Sequence, residues 1–331
     1  MKCGLALVAI FGVAMCANAL ADTLEDAKRE GEVVWYTSMN VSDADAVLKP
    51  FRERRPFLEI SFVRATSDRI RNHILSDAAD GRSTWDVVAF RVFDVAALIR
   101  QGLVAQYRSA ETAAGFPPGS VDVEGRWAAI FSHEYVIGYN TRLVKAADAP
   151  KSWQDLLAPR WAGRFALDEG DVEWYAAMLD YWGRDKGAAF MRALGQQKPH
   201  RVRGHQALAR QLGAGQFPLA LVYSSDIEPP RLTNAPAQSV KNLDPVIMAP
   251  TAVAISNTAP HPAAARLLVD YLLSKEGQQA IRSRNRAAVR SDLEPAKART
   301  SPHTHPLNPR LADNFAQYEA EFRGVLGRRQ P

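Results

Sequence analysis

The stretch Glu32–Ser38, which reads EVVWYTS, is an apolar run rich in β-branched and aromatic residues and predicts a buried strand. Two similar runs follow it along the chain, at 58–64 (LEISFVR) and 85–90 (WDVVAF). A segment with helical character comes after each of the three, at 42–55, 68–79 and 92–101. Strands and helices that alternate in this way predict a parallel sheet with helices packed on its faces.

The remainder of the chain repeats this α/β pattern. We predict strands at 126–140, 164–168, 201–203, 218–224 and 246–255. We predict helices at 174–194, 206–212, 262–284 and 314–326, and a tail over 291–331, which is rich in Pro and His. The sequence thus predicts two α/β units. Because open parallel sheets bind ligands beyond the carboxyl ends of their strands, we expect the ligand site in the cleft between the units.

The composition is that of an ordinary globular protein. The chain has 331 residues, of which 47% are hydrophobic and 23% charged, so it is not disordered, collagen-like or a coiled coil. At about 150 residues per domain, this length predicts about two domains. The formal net charge is +5. We interpret one basic run as a solvated helix face and expect no nucleic-acid partner; it comprises Arg282, Arg284, Arg286 and Arg290.

The first residues have the order of a secretory signal peptide. Lys2 precedes an apolar run over Gly4–Ala17 and a small-residue cleavage site at Ala19–Ala21. The run is shorter than the roughly 20 residues that a membrane-spanning helix needs. We therefore predict a signal peptide at 1–21 and a periplasmic mature protein.

The cysteines bear on the chemistry of the mature chain. The sequence has two, Cys3 and Cys16, and both lie within the predicted signal peptide. Their removal excludes disulfide scaffolds, zinc–thiolate sites and thiol catalysis. Lipidation of Cys16 stays open, although the preceding Met15 is larger than the residue usual at such sites.

No constellation of catalytic residues emerges. The chain contains neither G-x-S-x-G nor a P-loop, and His133-Glu134 is not followed by the x-x-H of a zinc protease. We interpret His303 and His305, which prolines flank, as mobile and without a metal. Four acidic residues precede a predicted helix: Asp168, Glu169, Asp171 and Glu173. Such a cluster could form a cation site or an acid–base pair, but we favour the interpretation that these residues cap the helix. We expect no cofactor, and enzyme is the weaker hypothesis.

Several segments resemble one protein family. They are Gly31–Ser38 (GEVVWYTS), Trp85–Val88 (WDVV), Lys151–Arg164 (KSWQDLLAPRWAGR) and Ala259–Gln278, which ends YLLSKEGQ. In this order they are similar to the family 1 extracellular solute-binding proteins, in the branch that binds iron(III), over roughly residues 24–290. The resemblance implies a type II periplasmic binding protein fold, with two doubly wound sheets joined by crossing strands, that closes on a ligand and delivers it to an ABC permease. We accordingly predict lobe 1 at 22–128 and 246–331 and lobe 2 at 129–245.

The iron site that the resemblance implies transfers poorly to this chain. Such proteins present a His after the first strand, an acid after the third and a Tyr-Tyr pair in the second lobe. Asn40, Arg91 and Tyr223-Ser224 stand at these places. A trivalent cation needs anionic oxygens, which one tyrosine and an arginine do not supply. We therefore predict no metal site.

The polar residues at the predicted strand ends favour an anion instead. Hydroxyls and backbone N–H groups at helix starts bind oxyanions, guanidinium groups pair with carboxylate or phosphonate, and an acid beside arginines receives an ammonium. The candidate ligand-binding residues are Thr37, Ser38, Asn40, Arg91, Asp171, Arg203, Tyr223 and Ser224. We expect Trp35, Trp161 and Trp174 to be core.

These residues predict a monomeric substrate-binding component of an ABC importer that captures a small anionic or zwitterionic solute. Two alternatives stay open. One is a protein that binds iron(III) or an iron chelate for uptake, and the other is an enzyme on the same fold.

Overall fold

The computed structural model describes residues 23–228, 235–293 and 302–327. The predicted signal peptide, with Cys3 and Cys16, lies outside these residues. None of the helices in the described part of the chain is both long and apolar enough to cross a membrane.

The first part of the chain forms the parallel βα units that its sequence predicts. In order these are α1 (residues 23–30), β1 (Glu32–Thr37), α2 (Val41–Arg54), β2 (Glu59–Arg64), α3 (Ser67–Ala79), β3 (Val87–Arg91) and α4 (Val92–Arg100). Strand β1 lies between β2 and β3 and is parallel to both. Gly31 ends α1 with a φ of +70°, a conformation that residues with a Cβ rarely adopt.

The middle of the chain builds a second α/β unit. Its elements are β4 (Ala128–Asn140), β5 (Phe165–Asp168), α5 (Val172–Trp182), α6 (Arg184–Gln196), β6 (His200–Val202), α7 (His205–Gly213), β7 (Leu219–Tyr223), the single turn α8 (Ser224–Ile227) and β8 (Ala237–Ser239). Strand β5 lies between β6 and β7 and is parallel to both.

The last part of the chain returns to the first unit and then continues. It contains β9 (Val246–Ile255), α9 (Pro262–Leu273), α10 (Lys275–Ser283), β10 (Ala287–Ala288), β11 (Thr304–Pro306) and α11 (Phe315–Leu326). Helices α9 and α10 pack near β1 and α2, respectively, and α11 packs on α5 and α6.

Two long antiparallel strands, β4 and β9, join the units. The strand order is β2-β1-β3-β9-β4-β7-β5-β6. Residues 251–255 of β9 pair with β3, and residues 135–139 of β4 pair with β7, while β4 and β9 pair with each other. The crossing strands of the predicted fold are therefore present. Because each is long enough to pair on both sides, the two predicted sheets are continuous in hydrogen bonding.

The structure corrects two predicted helices. The segment predicted at 174–194 is broken at Gly183, which has a φ of +79° and separates α5 from α6. The segment predicted at 262–284 is broken at Ser274, whose side chain accepts a hydrogen bond from the backbone N–H of Gly277 and so begins α10. Both breaks interrupt a helical pattern that is continuous in hydrophobic spacing, which is why the sequence did not reveal them.

The predicted tail is ordered where the structure describes it. Strand β11 pairs with β9, and Nε2 of His305 lies 3.4 Å from Asp180, so the prediction of mobile histidines is wrong for His305. The inner face of α11 buries Phe322 against Tyr175 of α5. The predicted lobe boundaries stay a prediction, but the packing of α11 is on helices that we assigned to the other lobe.

The tryptophans predicted to be core are core. Trp35 and Trp174 are fully buried and Trp161 nearly so. Trp174 packs against Trp153, whose indole N–H donates to the carbonyl oxygen of Pro245.

Candidate functional site

A cleft of about 600 Å³ lies at the carboxyl ends of the parallel strands of both units. Each of these six strands contributes its last residue or one that closely follows it: Ser38, Arg64, Arg91, Asp168, Arg203 and Tyr223. The position of the cleft is the one expected for an open α/β sheet. Its volume is in the usual range for a small-molecule site.

Arginine is the most frequent residue in the walls of the cleft. Seven arginines line it: Arg64, Arg71, Arg91, Arg201, Arg203, Arg286 and Arg323. Five carboxylates also line it: Asp68, Asp168, Glu169, Asp226 and Glu319. The excess of cations gives the cleft a positive potential, which draws in anions.

One buried carboxylate holds two of the arginines in place. Asp94, which is 1% exposed, accepts from Nε of Arg91 at 2.9 Å and from Nη1 of Arg71 at 2.7 Å. Nη1 of Arg91 also donates to the carbonyl oxygen of Gly170 in the second unit. Burial alone lowers the pKa of Arg91, but Asp94 and Glu173 more than offset it and raise that pKa well above its usual value. The guanidinium is therefore a fixed positive charge.

Four helices begin at the cleft with an N-cap residue whose own side chain does not cap the helix. These N-cap residues are Thr66 (α3), Arg91 (α4), Asp171 (α5) and Gly204 (α7). The first N–H groups of an α-helix have no partner within the helix, and the dipole makes this end positive.

Two of these helix starts come from opposite units and nearly touch. A Cβ placed on Gly204 would lie 3.4 Å from Cγ2 of Thr66. The uncapped ends of α3 and α7 thus converge, and together they favour an anion between them.

Aromatic rings from β4 and β7 form the floor of the cleft. Phe131, His133 and Tyr135 alternate along β4 and so share one face of the strand. The ring of Tyr223 stacks on His133, with centroids 3.8 Å apart, and on His205, with centroids 3.6 Å apart. Two rings so close to Tyr223 occupy its opposite faces. Phe131 meets His133 edge-on, so Phe131, His133, Tyr223 and His205 form one row of rings.

A second tyrosine lies beside Tyr223, which the sequence did not predict. The hydroxyl oxygens of Tyr135 and Tyr223 are 3.3 Å apart. Burial raises the pKa of both phenols well above the usual 10, although Arg91 counteracts this. The expectation of a single tyrosine was wrong because the partner comes from a strand 88 residues away rather than from the next position.

The pKa values of the two histidines of the floor are shifted in opposite directions. Burial lowers the pKa of His205, but its Nε2 lies 2.7 Å from Oδ1 of Asp171, and this carboxylate raises that pKa above the usual value. Burial, together with the charge of Arg286, holds the pKa of His133 well below the usual value of a histidine. Nδ1 of each ring is buried and has no hydrogen-bond partner among the described residues. The carboxylate of Asp171 therefore favours the protonated form of His205, whereas the surroundings of His133 favour its neutral form.

Arg286 corrects the interpretation of the basic run as a solvated face. It is 5% exposed, and Arg290 of the same run is also buried. Nε of Arg286 donates to Oδ2 of Asp43 at 3.0 Å, and the guanidinium lies 4.5 Å from the centroid of the Phe131 ring. Burial lowers the pKa of Arg286 to about 10, so it is still cationic at neutral pH.

Half of the predicted ligand-binding residues line the cleft. These are Ser38, Arg91, Arg203 and Tyr223. Arg203 is half-exposed, and Glu169 accepts from its Nε at 2.9 Å. Asp171 is fully buried and orients His205, which takes its place at the cleft surface.

The other three predicted residues do not line the cleft. Oγ1 of Thr37 donates to the carbonyl oxygen of Ala89, and Oγ of Ser224 donates to Glu134. Oδ1 of Asn40 accepts from the backbone N–H of Asp43 at 2.8 Å and so caps α2. In each case the polar group serves the backbone or a neighbouring side chain.

The acidic cluster does not cap its helix as predicted. Asp168 accepts from the backbone N–H groups of Gly170 and Gly204, in the loops that lead to α5 and α7. Glu173 accepts from the backbone N–H of Phe93 at 3.0 Å, which joins the starts of α4 and α5. The carboxylates therefore hold the cleft walls together.

One trio of side chains has the spacing of a cation site. Donor atoms of Asp168, Asp171 and His205 lie within 4.8 Å of one another. However, the oxygens of Asp168 accept from two backbone N–H groups, Asp171 is bonded to His205, and Arg91 adds positive charge nearby. The trio therefore does not fit a metal ion.

Sequence reasoning missed several residues of the site. Arg64 is the last residue of β2, and it could have been predicted because ligands of open α/β sheets bind beyond the carboxyl ends of the strands. Four others lie on elements whose approach to the cleft has no sequence signal: Arg71, His133, Tyr135 and Arg286. His205 begins α7, but the sequence does not show that this helix starts at the cleft.

Comparison with known proteins gives a consistent picture. A family model described as "bacterial extracellular solute-binding protein" matches residues 84–317. An Fe(3+)-binding periplasmic protein of Serratia marcescens is 24% identical over 186 residues, which are 53% of this chain and 55% of that protein, so the chain spans about half the length of this relative.

Solved structures match over more of the chain. Iron-bound HitA from Pseudomonas aeruginosa has a TM-score of 0.75 and 21% identity, over 89% of this chain and 99% of that one. AfuA from Actinobacillus pleuropneumoniae, with fructose-6-phosphate bound, has a TM-score of 0.76 and 19% identity, over 89% and 98%. At such identities the likeness concerns the fold alone, which is that of the two-lobed periplasmic binding proteins.

Proposed function

This chain belongs to the bacterial extracellular solute-binding proteins, as its sequence motifs predicted, and we propose that it captures a small organic anion or zwitterion in the periplasm for an ABC permease. One observation carries the proposal. Uncapped helix starts from both units converge on a cleft that seven arginines line. Fixed N–H dipoles and guanidinium forks bind carboxylate, phosphate or phosphonate with little reorganisation.

The relatives bind two kinds of solute, and the cleft chemistry favours one of them. Fructose-6-phosphate, bound by AfuA, is an organic anion, whereas HitA holds iron. The carboxylates among the arginines provide acceptors for hydroxyl or ammonium groups. A solute with one anionic group and several hydroxyls or an amine can pair with both the arginines and the carboxylates of the cleft.

Iron(III) is the competing candidate, and the pair of phenols 3.3 Å apart is the observation in its favour. Two features oppose it. Both phenols have raised pKa values and are protonated, and the guanidinium of Arg91 acts on both. A cation entering here would have to displace two phenolic protons beside a fixed positive charge.

We also propose how the protein works. Lobe 1 (22–128 with 246–331) and lobe 2 (129–245) would close on the solute about the crossing strands β4 and β9, with the packing of α11 as an added tie. The protein would act as a monomer and leave its ligand chemically unchanged. Small-angle scattering should show a smaller radius of gyration with ligand, and an unchanged radius would contradict closure.

A thermal-shift screen tests the function. The mature protein is melted with organic acids, phosphonates, sugar phosphates and iron(III). A ligand at a hundredfold excess over its Kd stabilises the folded state by about 2.7 kcal/mol. We expect anions to raise the Tm and iron(III) alone not to. A response to iron alone would favour the competing candidate, and conversion of the stabilising compound, followed by mass spectrometry, would favour an enzyme.

A further inference from the structure

Arg286 has the features of a ligand anchor that no prediction from the sequence included. It is 95% buried yet lines the cleft. Oδ2 of Asp43, itself 1% exposed, fixes its Nε, and the ring of Phe131 supports the face of the guanidinium. Its two terminal nitrogens make no hydrogen bond to any residue that the structure describes. A buried guanidinium with a fixed stem and free fork is preorganised to take two oxygens of one anion.

Arg286 approaches the cleft from a different side than Arg91 does. Across the sheet, Arg91 pairs with Thr251, Thr251 with Phe131, and Phe131 with Ala288, two residues after Arg286. At about 4.8 Å per strand spacing, the backbones of Arg91 and Ala288 are about 14 Å apart. Both side chains reach inward from these positions to the same cleft.

The row of rings on the cleft floor connects the two sides. Arg286 lies over Phe131 at one end of the row, and His205, bonded to Asp171, lies at the other end. Arg91 acts on Tyr135 and Tyr223. Both guanidinium groups act on His133 and Tyr223, so both charges face the row of rings, and a small molecule with an anionic group at each end can pair with both.

We propose that Arg286 forms a second anion subsite and that the solute carries two anionic groups several atoms apart, one bound near Arg91 and the other by Arg286. This inference rests on the proposed function and narrows its ligand class from organic anions to molecules with two acidic ends, such as a phosphorylated acid.

A pair of matched probes tests the subsite. 3-Phosphoglycerate and glycerol 3-phosphate have the same carbon skeleton and phosphate, but only the first has a carboxylate at the other end. Calorimetric titration should show that the wild-type protein binds 3-phosphoglycerate at least tenfold more tightly. The Arg286→Gln variant should lose at least tenfold in affinity for 3-phosphoglycerate and less than threefold for glycerol 3-phosphate.

Arg284 offers a matched control. Its Nε donates to the other oxygen of Asp43 at 3.1 Å, but it does not line the cleft. Arg284→Gln removes the same charge beside the same carboxylate, so it should change both affinities less than threefold. Circular dichroism and the Tm report folding. If Arg286→Gln does not fold, the Arg286→Lys variant is used instead. Lysine keeps the positive charge but lacks the planar guanidinium fork, so affinity for 3-phosphoglycerate should again fall more than affinity for glycerol 3-phosphate.

The outcomes separate the inference from the proposed function. The second subsite would be overturned if Arg286→Gln lost the same affinity for both probes, or lost affinity for neither. It would also be overturned if the wild-type protein did not prefer 3-phosphoglycerate. Arg91→Gln should weaken both probes at least tenfold. If the wild-type protein binds neither probe while the thermal-shift screen finds an anionic ligand, the second subsite is contradicted and the proposed function stands.

Discussion

Arg91 reaches from the end of β3 across the cleft and donates a hydrogen bond to the carbonyl oxygen of Gly170, in the loop before α5. An arginine at the end of a strand in one unit is thus bonded to the backbone of the other unit. Asp94 holds the same guanidinium from behind. This arrangement makes Arg91 both a candidate anion anchor and a bridge between the units, and it underlies the first prediction.

Arg91→Ala should weaken ligand binding strongly. Truncating one partner of a desolvated charge pair costs roughly 2–5 kcal/mol, which is about 30-fold to several thousand-fold in affinity. Titration calorimetry with the ligand found in the screen measures this loss. Arg108→Ala, on an exposed arginine away from the cleft, is the control and should cost less than about 1 kcal/mol. A loss below about threefold in folded Arg91→Ala would contradict the anion site.

Asn40→Ala should affect stability and not binding. The side chain of Asn40 caps α2, and removing such a cap costs about 1 kcal/mol of the free energy of unfolding. Urea denaturation should show this loss, while ligand affinity changes less than twofold. A variant of unchanged stability that loses affinity would restore Asn40 to the ligand-binding set.

Glu173 should make stability depend on pH. Burial raises its pKa to about 8, against an attraction from Arg91 that lowers it. Because the folded value lies above the usual one, the folded state holds the proton more tightly than the unfolded state does. Its contribution is full below about pH 4.5 and is lost as the pH rises through about 8.

The Glu173→Gln variant isolates this effect, since an amide keeps the shape and does not ionise. Urea denaturation at pH 5 and pH 9 should show that the variant gains at least about 1 kcal/mol over the wild-type protein between the two values. Parallel curves for the two proteins would show that Glu173 is ionised in the folded state throughout this range.

The cleft should not give the visible colour of tyrosinate bound to iron(III). Both phenols are protonated and face Arg91, so iron(III) added to the mature protein should leave no charge-transfer band. Absorption spectroscopy of the wild-type protein, with Tyr135→Phe and Tyr223→Phe as comparisons, measures this. A band that both substitutions abolish would establish an iron site made of these tyrosines.

The sequence was most informative about local structure. Apolar runs such as Glu32–Ser38 and the helical segments between them gave the order of β1 to α4 with ends correct within about two residues, because hydrophobic period and helix stops are local properties. The strand carboxyl ends then located the cleft and brought Ser38, Arg91, Arg203 and Tyr223 to its walls. Prediction from the sequence failed where one residue breaks a helix whose hydrophobic spacing is continuous, as at Gly183 and Ser274.

The sequence by itself determined the class of fold, the family and the edge of the sheet where the cleft lies, since these follow from the order of segments along the chain. Only the tertiary structure decided which side chains meet there. Tyr135 and Tyr223 are 88 residues apart, and Asp43 and Arg286 are 243 residues apart. Such pairs depend on the register of the crossing strands and on how distant segments pack, and no local pattern of residue types encodes either.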